Sequence, residues 1–564
     1  VYIRDRRNVH VDVATCTRQT PPFEISEEAL EIGLELALLL KAKVVDELHV
    51  CRKNYLDGSV PCGFQRTLIV GLNGSIQVNG KEIPIETICI EEDAARKVRE
   101  EGSTVYYRID RLGIPLVEIV TAPCIETPEE LMEAAFRIGL LLRSTGKVRR
   151  GIGTIRQDVN ISVDGGARVE IKGVQKLEWL PKLARNEVIR QLSLIRIRDE
   201  LAHREIREED LKLEIKDVTE VFRKTRSKIL KQRGDERVLA VRLPKFSGIL
   251  GVEVQPGKRF GKEIAEKVRA VTGLAGIIHS DENLEEYGIN AEEISDLCRV
   301  LMVNDEDAFV IVKAPRDIGE KALEIVVERA RQSLKGVPSE TRRALEDGNS
   351  EFLRELHGGA RLYPDTDTPP IRLDPELRNR VAGRLPEYPW NLKDKLVKRY
   401  GISEEFAERL ILEGKVFLFK EVVDEYGVDP VLVASILLQT LKALVREGVN
   451  VEDVGEDELK EVFRYISEGR IAKEAVESLI TKLAEKHVNI EEALKELDLK
   501  PLSEKELEEL VDEVVNENVD IIKERGERAF SPLMGMVMKQ VRGRIDGSKV
   551  ADILKKKIRE VSGG

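Results

Sequence analysis

Apolar and polar positions recur along this chain with two different periods, and the changes of period mark out its elements. Residues 26–41, "SEEALEIGLELALLLK", place apolar side chains three and four apart behind a Ser-Glu-Glu opening. That spacing predicts a helix capped by Ser26. From 64 to 90 the period drops to two, and Asn73-Gly74 and Asn79-Gly80 each offer the positive φ of a tight turn, so a meander of short strands is expected. "TPEELMEAAFRIGLLLRSTG" (127–146) returns to the helical period, with Leu131, Ala134, Ile138 and Leu142 as its buried stripe. Thr127 and Glu130 have capping-box spacing, Pro128 takes the first helical position, and Gly146 ends the run. Beyond residue 395 the pattern is helical almost to the end, with openings such as "SEE" and "SEKELEEL". No internal repeat or low-complexity linker interrupts it.

Three stretches carry polar groups that the period alone does not explain. "TIRQDVNISVDGGARVEIKG" (154–173) reads as a hairpin turning at Asp164-Gly165-Gly166. Val159, Ile161 and Val163 then share a face with Val169 and Ile171, and the other face carries Asp158, Asn160, Ser162, Arg168, Glu170 and Lys172. A solvated outer face is the ordinary reading. Carboxylates, an amide and a lysine gathered together also suit a charged substrate or a metal–phosphate group. "GIPLVEIV" (113–120) is an apolar strand broken only by Glu118, a carboxylate that needs an Arg partner or a cation to offset its desolvation. "CIEEDAARKV" (89–98) closes an apolar run with Glu91, Glu92 and Asp93, which serve either as the solvated first turn of a helix or as one wall of a metal site. Glu92 with Glu118 makes two hard oxygen donors at strand ends in one domain, the kind Mg2+ selects.

Composition narrows the choices. At 564 residues, with 42% hydrophobic and 34% charged, the chain is expected to form three to five soluble domains. It has no eighteen-residue apolar run and no signal peptide, so a cytoplasmic protein is expected. Six cysteines without a CxxC pair argue for reduced thiols over disulfides or a standard zinc site. Abundant Glu, Lys and Arg beside five Met suggest a heat-adapted source. No GxxxxGK[ST] occurs and "GIGTIR" stops short of GxGxxG, so a nucleotide must be held by metal, Lys and Arg. The scattered histidines give no nucleophile elbow. A net charge of −12 argues against indiscriminate nucleic-acid binding, yet from Lys523 to Gly564 eleven Lys and Arg face five Asp and Glu, a local +6. Such a tail is either a solvated helix end or the footprint of a polyanion.

In chain order, "CRKNYLDGSVPCGFQRT", "ICIEEDAARKV", "RIDRLGIPLVEIVTAP", "IRQDVNISV", "ARVEIKG" and "GARLYPDTDTPPI" resemble the B/E subunits of tRNA-dependent amidotransferases, the GatB/GatE family. "SPLMGMVMKQVRGRIDGSKVADIL" is similar to that family's small C-terminal helical tRNA-binding domain. "LPKFSGILG" (243–251) and "GLAGIIHSDENLEEYGI" (273–289) resemble the insertion shared with bacterial aspartyl-tRNA synthetases, which marks the archaeal E type. The resemblance covers nearly the whole chain. It implies a ligase that binds Glu-tRNA(Gln), phosphorylates the glutamyl γ-carboxylate with ATP and Mg2+, and lets ammonia displace the phosphate to give Gln-tRNA(Gln). The implied ammonia source is an asparaginase-like glutaminase partner, GatD, feeding an internal channel. Phosphorylation supplies the leaving group that a carboxylate lacks, and metal and cationic side chains neutralise the transferring group.

Residue by residue, the resemblance gives Glu92 (second acid of "EED") and Glu118 (the acid of "GIPLVEIV") as Mg2+ ligands, with Glu91 and Asp93 supporting them or capping a following helix. Asp158 and Lys172 join them as catalytic candidates, and Arg52, Lys53, Asn160 and Glu170 are expected around the ATP, the acyl end or the channel mouth. The family's opening "GLEIH", whose Glu and His complete the metal site, has no counterpart here. His10 in "RNVHVDV" stands in another context, and the Val1 start leads us to expect that a native N-terminus precedes it. In the tail, Lys539, Arg542, Arg544, Lys549 and Lys555–Lys557 are expected to meet tRNA through backbone charge and shape, since aromatic residues are 4% and no RRM or KH motif occurs.

The expected fold is α+β and multidomain. A β-rich cradle (1–235, returning at 340–395) carries the kinase site, and an α+β aspartyl-tRNA-synthetase-like insertion (236–339) interrupts it. A helical domain (396–500) and a small helical tail (501–564) follow. A non-catalytic tRNA-binding scaffold is the competing reading, separated by whether Gln is tolerated at Glu92 and Glu118. A small-molecule ATP-dependent amide ligase is more remote.

Overall fold

In the computed structural model Ser26 accepts the amide of Ala29 at 3.3 Å and opens α1 (Glu27–Leu39), as the first periodic run predicts. The structure describes residues 2–3 and 24–562, apart from 56, 103, 150–152, 233, 357–361, 487–488, 498–503 and 542–546. Helix α1 lies on a six-stranded sheet containing β1 (Val50–Asn54), β2 (Phe64–Val78), β3 (Lys81–Glu92) and β4 (Pro115–Thr121). Strand Leu362–Pro364 borders β1, and Lys43–Val44 pairs with β2. The approach of helix to sheet is close: a Cβ at Gly33 would sit 2.6 Å from Cδ1 of Ile90.

The meander differs from its expectation at one turn. Asn79 (φ 48) and Gly80 (φ 84) do turn the chain between Val78 and Lys81. Asn73-Gly74 does not, because β2 runs straight through it for 15 residues. Asn73 still takes a positive φ of 53 inside the strand, next to the point where Ser75 donates to the Leu40 carbonyl at 2.7 Å. A Cβ at position 74 would lie 2.6 Å from that same carbonyl oxygen, so glycine serves a close approach rather than a hairpin.

Helix α2 (Pro128–Ser144) opens with the Glu130 amide on Thr127 Oγ1 at 3.1 Å. The predicted hairpin forms as β5 (Gln157–Ile161) and β6 (Val169–Val174) in the expected register, Val159 opposite Ile171 and Asn160 opposite Glu170. Val159, Val169 and Ile171 are buried, and α3 (Leu180–His203) covers them with Leu180 and Leu183. A second sheet follows, in which β7 (Arg237–Leu243) pairs antiparallel with β8 (Ala308–Ala314). Helices α4 (Phe260–Thr272), α5 (Ala291–Leu301) and α6 (Arg316–Ser333) pack on it. Lys216–Asp217 also pairs with β7, and Phe222 and Leu230 enter its core, so this layer draws in chain upstream of 236.

After α6 the chain returns to the earlier layers. Strand β9 (Glu340–Ala344) pairs parallel with β6, and β10 (Ser350–Glu355) closes that sheet. The crossing is held by buried charge: Arg190 on α3, Glu263 on α4, Arg329 on α6, and Glu340 and Arg342 on β9 interlock with Glu187.

Residues 1–139 and 149–385 form one compact unit, and 140–148 with 386–564 a second. From Pro389 onward the second is helical among its described residues, as the period predicts. Its last helices, Glu504–Glu517, Val519–Arg525, Phe530–Val541 and Gly547–Ser562, enclose Leu507, Val511, Leu533, Val537 and Leu554. The fold is therefore mixed α/β with a helical C-terminal region.

Candidate functional site

Strand alternation sorts the predicted residues between two faces of the first sheet. Cys89 lies opposite Glu118, Glu91 opposite Leu116 and Thr67, and Lys53 opposite Gln65. With a side-chain period of two, Lys53, Gln65, Cys89, Glu91 and Glu118 share one face. Arg52, Arg66 and Glu92 belong to the other, the face on which Val70 and Ile90 meet α1 at Gly33.

On the first face Lys53 Nζ stands 3.2 Å from Glu91 Oε1. Burial works against its charge, but Glu91 and Glu118 outweigh that and raise its pKa. Glu118 has its carboxyl pushed up, first by burial and then by the charge of Glu91. Glu118 is itself exposed to solvent. Asp158 and Lys172 of β5 and β6 also act on Glu118, which brings the second polar face up to the first. There Lys172 Nζ bridges Asp158 Oδ2 at 2.6 Å and Glu170 Oε1 at 3.3 Å. Burial again opposes its charge, and Asp158 and Glu170 raise its pKa. Thr341 Oγ1 donates to Glu170 Oε2 at 3.0 Å, and Asn160 lies exposed across from Glu170.

The structure thus brings together Lys53, Glu118, Asp158, Glu170 and Lys172, and adds Glu91. Glu92 is held elsewhere: Arg66 Nε donates to its Oε1 at 2.9 Å, and Gln65 Nε2 donates to its backbone carbonyl. Arg52 stacks on Phe64 with 4.2 Å to the ring centroid and clamps Asp365 at 2.7 Å and Asp367, anchoring the "YPDTDTPP" loop. Asp93 is buried and accepts Arg156 at 3.1 Å. Sequence reasoning missed Arg66, Asp365 and Arg156, whose partners lie far off in the chain. Among the described residues no three His, Cys, Asp or Glu side chains gather closely enough to hold a metal alone.

In the tail, Lys539, Lys549 and Lys555 are exposed, with Lys555 Nζ 5.3 Å from the Phe530 ring. Arg542 and Arg544 lie outside the described residues, as does His10.

Carboxylates and lysines of two sheets thus act on one another around Glu118. A model of the GatB/GatE catalytic domain matches residues 4–379, and a GatB domain model matches 417–558. The chain belongs to the GatB/GatE family. Its relatives include archaeal proteins named as the E subunit of glutamyl-tRNA(Gln) amidotransferase. That of Pyrococcus furiosus is 48% identical over 567 residues, covering 100% of this chain and 89% of the relative. Those of Thermococcus gammatolerans and Methanocaldococcus jannaschii are 47% and 44% identical, each covering 96% of this chain and 86% of the relative.

Proposed function

We propose that the chain is the tRNA-handling subunit of a glutamyl-tRNA(Gln) amidotransferase, activating the glutamyl γ-carboxylate with ATP and Mg2+ and passing it to ammonia. The observation that carries this reading is the shared face of Glu91 and Glu118, set against Lys53, Lys172 and Asp158. Burial and then the like charge of Glu91 raise the proton affinity of Glu118, the condition that a cation relieves. Mg2+ is commonly bound through one or two carboxylates, completed by water and substrate phosphates, so the donor set fits without a third protein ligand.

Glu91 and Glu118 would hold the metal, and it would neutralise charge on the transferring phosphoryl group. Glu92, the acid matched by motif, would brace the strand end through Arg66. Lys53 and Lys172 would orient the γ-carboxylate and the phosphate oxygens, while Asn160 and Glu170 border the acyl end. Arg52 would act through the loop it clamps. Ammonia would come from an asparaginase-like glutaminase subunit of the GatD type. Lys539, Lys549 and Lys555 would track the tRNA backbone together with Arg542 and Arg544. Among the described residues no helix is long and apolar enough to cross a membrane, and we place the complex in the cytoplasm.

The test is acyl-phosphate formation. With Glu-tRNA(Gln), ATP and no ammonia, the chain should release ADP in a tRNA-dependent manner, and hydroxylamine should trap the activated glutamyl group as a hydroxamate. Tight tRNA binding without either product would favour the scaffold.

A further inference from the structure

The segment from Arg223 to Arg237 carries seven Lys and Arg against two acids, a net +5 in a chain of net −12. A run like this is ordinarily a solvated face. Two structural features set it apart. The first is pairing. The surface of α6, in the same layer, neutralises its cations locally, Arg316 with Glu320 at 2.8 Å and Lys321 with Glu324 at 2.7 Å. In the loop, Arg223 reaches Glu220 at 3.4 Å. Lys224, Arg226, Lys228 and Lys231 are exposed, and among the described residues none has a carboxylate within ion-pair reach. Glu285 and Glu286 precede Gly288, whose backbone packs on Ser227, yet neither pairs with these four.

The second feature is a rigid footing. Phe222, Ser227 and Leu230 are each 1% exposed, with Phe222 and Leu230 set in the core under β7. Ser227 Oγ accepts the Leu230 amide at 3.4 Å, and the Lys231 amide donates to the Ser227 carbonyl at 3.0 Å. Gln232 Nε2 ties the loop back to the Thr219 carbonyl at 3.1 Å, and Thr219 Oγ1 accepts the Val238 amide at 3.1 Å. The cations alternate with buried anchors, so the backbone that carries them is already ordered. Four unpaired cations on an ordered loop suit an extended polyanion, which gains from each contact by releasing its counterions.

We propose that Lys224, Arg226, Lys228 and Lys231 form a docking surface for the phosphate backbone of the substrate tRNA, separate from the helical tail. This rests on the amidotransferase reading above. The loop positions RNA without selecting sequence, because it offers point charges to phosphate and no base-reading fork.

The test uses the chain in complex with its glutaminase and replaces all four residues with Ala. Filter binding of uncharged tRNA(Gln) across a salt series should show affinity lowered at least tenfold near 0.15 M salt. The slope of log K against log salt should fall by about 3, from four phosphate contacts at about 0.7–0.9 each. KM for Glu-tRNA(Gln) should rise with kcat unchanged, and a charge-keeping variant (Lys to Arg at three positions, Arg226→Lys) should bind as the parent does. Unchanged affinity and slope overturn the proposal. So does unchanged RNA binding with loss of the glutaminase on gel filtration, which would make the loop a protein contact. If the parent binds tRNA through these residues but never consumes ATP, the amidotransferase reading fails and the docking surface stands.

Discussion

Replacing Arg190 with Met removes the centre of the buried charge cluster. Its guanidinium donates to Glu263 at 2.6 and 3.1 Å, to Glu187 at 3.0 Å and to Glu340 at 2.7 Å, fully out of water. Burial opposes that charge, but Glu263, Glu187 and Glu340 outweigh it and hold the Arg190 pKa well above its ordinary value. Burial likewise opposes the Glu263 carboxylate, yet Arg190, Arg342 and Arg329 hold its pKa well below the usual range. In Arg190→Met, Glu263 keeps Arg329 at 2.9 Å and Glu340 keeps Arg342. Glu187 is left with neutral donors, chiefly Gln191 Nε2 at 3.1 Å. A buried carboxylate stripped of its cation costs about 3–5 kcal/mol, whereas breaking the exposed Arg198–Asp199 pair costs about 1 kcal/mol or less. Adding Glu187→Gln to Arg190→Met should recover about half of the loss.

The assay is urea unfolding in a Trp390→Phe background, where Trp179, just before α3, reports this unit. The pH dependence follows from the lowered Glu263 pKa. The cluster's contribution is present above the ordinary carboxylate pKa of 4.5 and is lost as pH falls through the depressed folded value. The gap between parent and Arg190→Met should therefore hold between pH 7 and 4.5 and narrow as pH falls below 4.5. A cost under about 1 kcal/mol, or a gap that does not narrow, refutes the reasoning.

Other outcomes follow from single contacts. A Cβ at Gly261 would sit 2.1 Å from His279 Nε2, so Gly261→Ala should cost about 1–3 kcal/mol by overpacking, with His279→Ala restoring part of it in the same urea titration. Cys89 is buried, and burial with the charges of Glu118 and Glu91 pushes its thiol up to about 11, so iodoacetamide at pH 8 should leave it unlabelled until the chain unfolds, as peptide mapping would reveal. Because burial and Glu91 raise the Glu118 carboxyl, cation affinity should fade at a pH above the ordinary 4.5, as Mn2+ titration followed by electron paramagnetic resonance would read.

Strict alternation made the 154–173 hairpin legible, down to the face shared by Asp158, Asn160, Glu170 and Lys172, because only the two-residue period enters. Asn73-Gly74 was misleading, since its positive φ answers a contact with Leu40 that is remote in sequence. The choice between Glu91 and Glu92 was equally out of reach. Neighbouring acids point opposite ways, and the pairing of β3 with β4 decides which of them joins Glu118. Arg190, Glu187 and Gln191 look like the polar side of an amphipathic helix, yet they are buried because α4, α6 and β9 return over them. Motif order identified the family from the sequence, while the side chains' partners awaited the fold.

In the proposed reaction Glu91 and Glu118, on one face, serve ATP-dependent activation of Glu-tRNA(Gln). The most direct measurement is tRNA-stimulated ADP release by the complex with its glutaminase, comparing Glu91→Gln, Glu118→Gln and Glu92→Gln. Stimulation should be lost in the first two at every Mg2+ concentration and largely retained in the third, whose defect should appear in stability through Arg66. Full stimulation in Glu91→Gln or Glu118→Gln would contradict the account.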